Sequence, residues 1–307
     1  MPAFTPTFTI TPLMLRQLKV IDQTAGFLAA VETQAEWLDK LRHEARVRDA
    51  LASLRIEGST LSYEEAFTLA EGKTSGALRA SEQEFVNYLH AFDAIDDLRG
   101  QRDYSVRRAD VQNLHRLLVD GVRGGQRFAG QLRREEVSVG DRDEGEVVVH
   151  HQPPHWGEVE DHLDDLMAWT EAVKDYPRRA KVLAGEPDAW VHPCIVAGVA
   201  QHRMVWIHPF VDGNGRTARL LSTLLLYQRG YDFKYLFDLS SYYDKNRDAY
   251  YESLRDVDRT GDYTRWLIYF LGGLSMQMFV VRRKALQAAK GLAHSDADSD
   301  EEQQGDS

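Results

Sequence analysis

With 307 residues and a net charge of −11, the chain is long enough for one large or two closely packed domains. It is too acidic for general nucleic-acid binding through a basic surface. Its one cysteine, Cys194, excludes a disulfide framework and fits a reducing compartment as a small core residue. No uninterrupted apolar run is long enough to span a bilayer, and Met1-Pro-Ala-Phe-Thr-Pro lacks the basic and apolar regions of a signal peptide. A cytoplasmic protein with neither membrane nor nucleic-acid partner is expected.

In chain order, Thr11-Pro12 reads as an N-cap followed by proline at the first helical position. Helical text runs from there to about Arg55, with a break expected near His43. The stretch Ser53-Leu54-Arg55-Ile56-Glu57-Gly58 is a helix end closed by glycine. Glu57 is unfavourable there against the helix dipole unless a cation compensates it. Ser62 with Glu65 forms a capping box at the start of a short helix. A loop at Gly72–Gly76, a helix from about Ser81 to Leu98, a break at Gly100–Tyr104 and a helix from Val106 to Val122 follow, the last ended by Gly124-Gly125. Two β-branched runs flank a turn rich in Gly and Asp between Val137 and Val149, which predicts a hairpin. Trp156 to Val173 is an amphipathic helix, Tyr176–Pro187 a loop, and Asp188–Met204 an apolar helix carrying His192 and His202. Histidines 192, 202 and 208 lack the i, i+4 spacing of a helical zinc site. Ser241–Tyr251 starts a helix with paired tyrosines, and Thr264–Gln287 is a long apolar helix. Residues 293–307 carry six acidic side chains with no Lys or Arg and are expected to be disordered.

The densest chemistry lies in His208-Pro-Phe-Val-Asp-Gly-Asn-Gly-Arg-Thr-Ala-Arg219. The turn Gly213-Asn214-Gly215 is not expected to keep helical geometry, and the helix after it directs free N–H groups and a positive dipole end at one spot. Arg216 and Arg219, three apart, reach the same anion. Asp212 is a hard oxygen ligand suited to Mg²⁺ bridging phosphates. His208 is the nearby side chain able to take up a proton near neutral pH. Together these point to phosphoryl or nucleotidyl transfer.

This stretch resembles the Fic (Fic/Doc) family signature His-Pro-Phe-x-Asp/Glu-Gly-Asn-Gly-Arg-x-x-Arg at every specified position. Gly130, Arg133 and Pro153-Pro154 also fit the family pattern. The resemblance implies an all-α Fic fold, a helical bundle with one short β-hairpin flap. Residues 1–100 would form an N-terminal helical region, 101–290 the catalytic core with its C-terminal helices, and 291–307 an acidic tail. It further implies a protein adenylyltransferase that moves AMP from ATP to a Ser, Thr or Tyr hydroxyl of a protein. In that reading His208 is the base, Asp212 holds Mg²⁺, and Gly213, Asn214 and Gly215 cradle the α- and β-phosphates. Arg216 and Arg219 bind the β- and γ-phosphates, and Tyr251 packs either on the base or in the core. Asp258 lies where some members place an Asn that bonds the adenine. Ser53–Gly58 resembles the family's inhibitory motif, so Glu57 would pair with Arg219 and stand where the ATP γ-phosphate goes. The hairpin 137–149 would dock the target protein by strand addition. Two other readings stay open, a de-AMPylating hydrolase using Glu57 and a non-catalytic ATP-sensing module. A homodimer is also left open.

Overall fold

The computed structural model describes residues 4–73, 76–98, 101, 104–122, 128–143, 146–173 and 191–290, with the backbone alone for 141–143 and 146–148. The acidic tail, the Tyr176–Pro187 loop and the Gly124-Gly125 helix stop lie outside the described residues. Among these residues the chain forms α1 (Pro12–Ala30), α2 (Ala35–Ile56), α3 (Tyr63–Ala70), α4 (Ala80–Leu98), α5 (Arg108–Leu118) and an antiparallel pair β1 (Val139–Asp143) and β2 (Glu146–His151). Then come α6 (Val159–Ala172), α7 (Pro193–Ile207), α8 (Asn214–Gln228), α9 (Leu239–Lys245), α10 (Arg247–Thr260) and α11 (Thr264–Lys290). Among the described residues the fold is all-α with a single hairpin. No described helix is long and apolar enough to cross a membrane.

The central element is α8. All of its residues from Arg216 to Gln228 are buried, so it has no solvent face at all. It packs on α7, α5, α4 and α2. Leu220, Leu221, Leu224, Leu225 and Leu226 are essentially inaccessible and join one core that reaches from α1 to α11. Each such leucine contributes roughly 1.5–3 kcal/mol by leaving water. The outcome for the site is a rigid pillar whose N-terminus is fixed relative to everything around it.

Several local expectations hold. The Thr11 hydroxyl caps α1 by accepting from the Met14 N–H at 3.2 Å. Both bonds of the Ser62/Glu65 capping box form. Gly58, at φ 89°, closes α2 as its N–H donates to Arg55 O and Ser59 N–H to Leu54 O.

Others shift. The long N-terminal helix breaks at Val31–Gln34 rather than near His43. There the freed backbone is taken up by distant groups, Lys234 Nζ donating to Val31 O and Gln34 N–H to Ala288 O. His43 stays helical, edge-on to Phe67. The hairpin sits two residues further on than expected, with a register irregularity at Val139/Gly140. The helix predicted over Val106–Val122 is confined to Arg108–Leu118. His192 does not lie inside α7 but caps it, its Nδ1 accepting from the Cys194 N–H at 3.1 Å. The paired tyrosines fall on two helices parted at Asn246.

Candidate active site

The loop between α7 and α8 begins at His208, which ends α7 in the left-handed conformation at φ 48°, ψ 59°. Its N–H still donates to Met204 O. Nδ1 of the ring lies 3.3 Å from Val205 O, an atom that can only accept. The ring proton therefore sits on Nδ1, leaving the lone pair on Nε2. Burial pushes the imidazole pKa down to about 4, so at neutral pH the side chain is uncharged and able to take a proton.

Asn214 closes the loop on itself. The residue is 2% exposed, and both polar atoms of its side chain are used. Oδ1 accepts from the Phe210 N–H at 2.9 Å and Nδ2 donates to Phe210 O at 2.8 Å. In this structure the Asn214 side chain holds the loop in shape. The glycine turn is also shorter than expected. Only Gly213 leaves helical space, at φ 78°, whereas Asn214 and Gly215 are already the first residues of α8.

Gly215 is needed for approach. A Cβ there would lie 2.4 Å from Glu57 Oε1. The Glu57 carboxylate, at the end of α2, therefore lies against the start of α8, on its positive dipole end. The same oxygen accepts from Arg219 at 2.8 Å. Arg219 is buried and also donates to Ser53 Oγ at 2.7 Å and Ser53 O at 3.0 Å. Burial works against its charge, but the carboxylate beside it holds the guanidinium well above its ordinary pKa. Sequence reasoning paired Glu57 with Arg219, and the structure brings them together.

Arg216 faces elsewhere, 3.6 Å from Glu84 Oε1 and 3.4 Å from Asp212 Oδ1. The two arginines do not converge on one point here, because the carboxylates on either side of the helix each hold one. The Asp212 side chain is half exposed, and Oδ1 accepts from the Gly213 N–H at 2.7 Å. Among the described residues no group of three or more His, Cys, Asp or Glu side chains gathers to hold a metal. Histidines 192, 202 and 208 are not brought together: His192 meets Asp22, and His202 meets Leu254 O and Asp258. A half-exposed carboxylate beside a helix N-terminus fits Mg²⁺, which takes one or two carboxylates and completes its shell with waters and phosphates.

Tyr251 is 38% exposed, with its hydroxyl 3.4 Å from Ile56 O and burial pushing its pKa up to about 12. Of the pair, Tyr250 is the core residue, 1% exposed. Asp258 lies between two imidazoles, 3.4 Å from His151 Nδ1 and 3.3 Å from His202 Nε2.

One residue that sequence reasoning passed over is His115 on α5. It is buried, its ring stacks on Phe210 with centroids 3.7 Å apart and planes within 3°, and Nδ1 accepts from the Gly130 N–H at 3.0 Å. Nε2 must then carry the proton, which it donates to Asp212 O at 3.0 Å. A single His in an amphipathic helix carries no sequence signal for this.

Residues 105–226 match the Fic/DOC family profile, a span that starts just ahead of α5 and ends within α8. Residues 105–226 are thus a Fic/DOC family domain. Among curated relatives, the protein adenylyltransferase Fic of Drosophila mojavensis is 28% identical over 221 residues, covering 70% of this chain and 38% of the relative. That of Drosophila melanogaster is 28% identical over 222 residues, with 70% and 39% covered. The matched part of the chain thus spans about two-fifths of those relatives. A Fic family protein from Desulfovibrio desulfuricans has a similar structure, at TM-score 0.73 and 25% identity over 95% of this chain and 87% of that one. Fic-1 from C. elegans shares the fold at TM-score 0.64 and 21% identity, over 91% and 73% of the two chains. The Fic signature coincides with the loop and helix start just described. In this chain α2 arrives at that loop from outside the matched span and delivers Glu57.

Proposed function

We propose that the chain is a protein adenylyltransferase that moves AMP from ATP to a hydroxyl side chain of a protein and that Glu57 restrains it. The observation that carries this reading is the Glu57 carboxylate lying on Arg219 across the start of α8, as an internal anion at a helix terminus suited to phosphates. His208, neutral and with its Nε2 lone pair available, accepts the proton of the incoming alcohol. The alcohol oxygen attacks the α-phosphorus, the bond to the bridging oxygen breaks, and pyrophosphate leaves. The backbone N–H groups at the start of α8 receive phosphate oxygens once Glu57 withdraws, and Arg219 then takes the terminal phosphate in its place. Asp212 would hold Mg²⁺, which supplies positive charge to the phosphates. Asn214 and His115 act by fixing the loop. The hairpin offers its backbone edge to an extended segment of the target.

The test incubates wild type, Glu57→Gly and His208→Ala with ATP labelled at the α-phosphate and Mg²⁺, and counts label on protein. The expected result is transfer raised about tenfold or more by Glu57→Gly, the size of an ordinary coupling energy, and abolished when His208→Ala is added. The Glu57 side chain is one-third exposed and reaches solvent, so removal of AMP by water is the second reading. It is favoured if wild type strips label from a pre-modified Glu57→Gly protein. ATP binding with no transfer by any variant points to a sensor and overturns both.

A further inference from the structure

Arg133 makes more backbone contacts than any role in a loop requires. It lies between Gly130 and the hairpin, is 3% exposed, and its N–H donates to Pro209 O at 2.8 Å. Its guanidinium then reaches four carbonyls. Nε donates to His208 O at 2.8 Å and one terminal nitrogen to Glu135 O at 3.0 Å. The other donates to Pro154 O at 2.5 Å and lies 3.4 Å from Ile207 O. Two of these carbonyls, Ile207 and His208, are the unpaired end of α7, where a buried cation complements the negative dipole end. The other two, Glu135 and Pro154, are the entry and exit of the hairpin. One planar fork therefore ties both stems of the hairpin to the backbone of the residue that carries the imidazole.

We infer that Arg133 is the positioning residue of the transfer reaction: it sets the distance between the hairpin edge and His208. The reasoning rests on the function proposed above. A single guanidinium does this because its donors are rigid and coplanar, whereas an ammonium offers a point charge that cannot span stems 19 residues apart in sequence. A second tie, from His151 Nε2 to Trp206 O at 2.8 Å, keeps β2 near α7 without Arg133 but fixes neither stem to His208. Loss of Arg133 therefore leaves the hairpin attached but displaced, and a displacement of about 1 Å at a reacting group costs about 10²-fold in rate.

The experiment places Arg133→Ala and Arg133→Lys in the Glu57→Gly protein, and measures label transfer against ATP concentration together with hydrogen exchange across the hairpin. Both variants are expected to lose about 10²-fold in kcat with KM for ATP unchanged within about twofold. Exchange should rise across 137–154 while α8 stays protected. Millimolar methylguanidinium is expected to restore at least about a tenth of the lost kcat to Arg133→Ala and none to Arg133→Lys, whose side chain fills the cavity. Should Arg133→Ala not fold, Arg133→Lys, which keeps the charge and most of the stem, carries the comparison alone. Transfer by Arg133→Lys within about threefold of its parent overturns the inference, as does loss of ATP affinity in parallel with kcat. If Glu57→Gly itself transfers nothing, it is the underlying function that fails, and the two failures are distinct.

Discussion

Asn214 and Gly215 show how a motif residue's chemistry and its role part company. Asparagine in a phosphate-binding loop suggests an amide pointing at the ligand, yet here the amide satisfies both backbone groups of Phe210. Asn214→Ala is expected to destabilise the protein by about 1–3 kcal/mol, read from urea unfolding, because a buried N–H and a buried carbonyl lose their partners. Asn214→Asp keeps the acceptor for the Phe210 N–H and should lose less. Unchanged stability in Asn214→Ala contradicts the assignment. The sequence singled out the loop residues as candidates because their types and spacing match phosphate chemistry. It did not show orientation: Gly215 reads as a turn residue, and only the position of Glu57, 158 residues earlier, explains why a Cβ is excluded. His115 was illegible for the same reason, since stacking on Phe210 is a contact between distant segments.

At the scale of elements, α2 is the one that carries the proposed restraint. It brings two residues one turn apart to Arg219, which meets the Ser53 hydroxyl and carbonyl and the Glu57 carboxylate. Ser53→Ala removes the acceptor of Arg219 Nε while leaving Glu57 in place. Basal transfer should rise less than in Glu57→Gly, and rates equal to wild type would argue that Ser53 does nothing to hold α2. Gly58, at φ 89° with open space around it, is a pure backbone requirement. Gly58→Ala is expected to cost about 1–2 kcal/mol in thermal or denaturant unfolding, the penalty for a side chain in the left-handed region. Helix ends with local caps, at Thr11, Ser62 and Gly58, were legible in the sequence. The break at Val31–Gln34 was not, because its backbone groups are satisfied by Lys234 and Ala288. Local text cannot show a partner so far along the chain.

The whole molecule carries opposing titrations. Burial, and after it the Asp238 carboxylate, pushes Asp49 up to about 7 from the 3.8 of an exposed aspartate. Its folded pKa is raised, so the stability it confers is fully present below about 3.8 and is lost as pH rises through about 7. His208 and His115 are pushed by burial from 6.5 to about 4, so the folded state holds fewer protons than the unfolded one between those values. Their contribution is present above about 6.5 and lost as pH falls towards about 4. Asp49→Asn removes the Asp49 titration and leaves the two histidines as they are. The difference in melting temperature, variant minus wild type, is therefore expected to grow more positive from pH 4 to pH 8, and a pH-independent difference contradicts the burial argument.

The account as a whole turns on whether the Glu57 carboxylate stands on Arg219 in the place of a terminal phosphate. Calorimetric titration of wild type and Glu57→Gly with ATP and with ADP measures this directly. Removing the carboxylate should strengthen ATP binding relative to ADP by about tenfold, equivalent to about 1.4 kcal/mol. Equal changes for the two nucleotides, or none for either, would show that Glu57 and the phosphate do not compete.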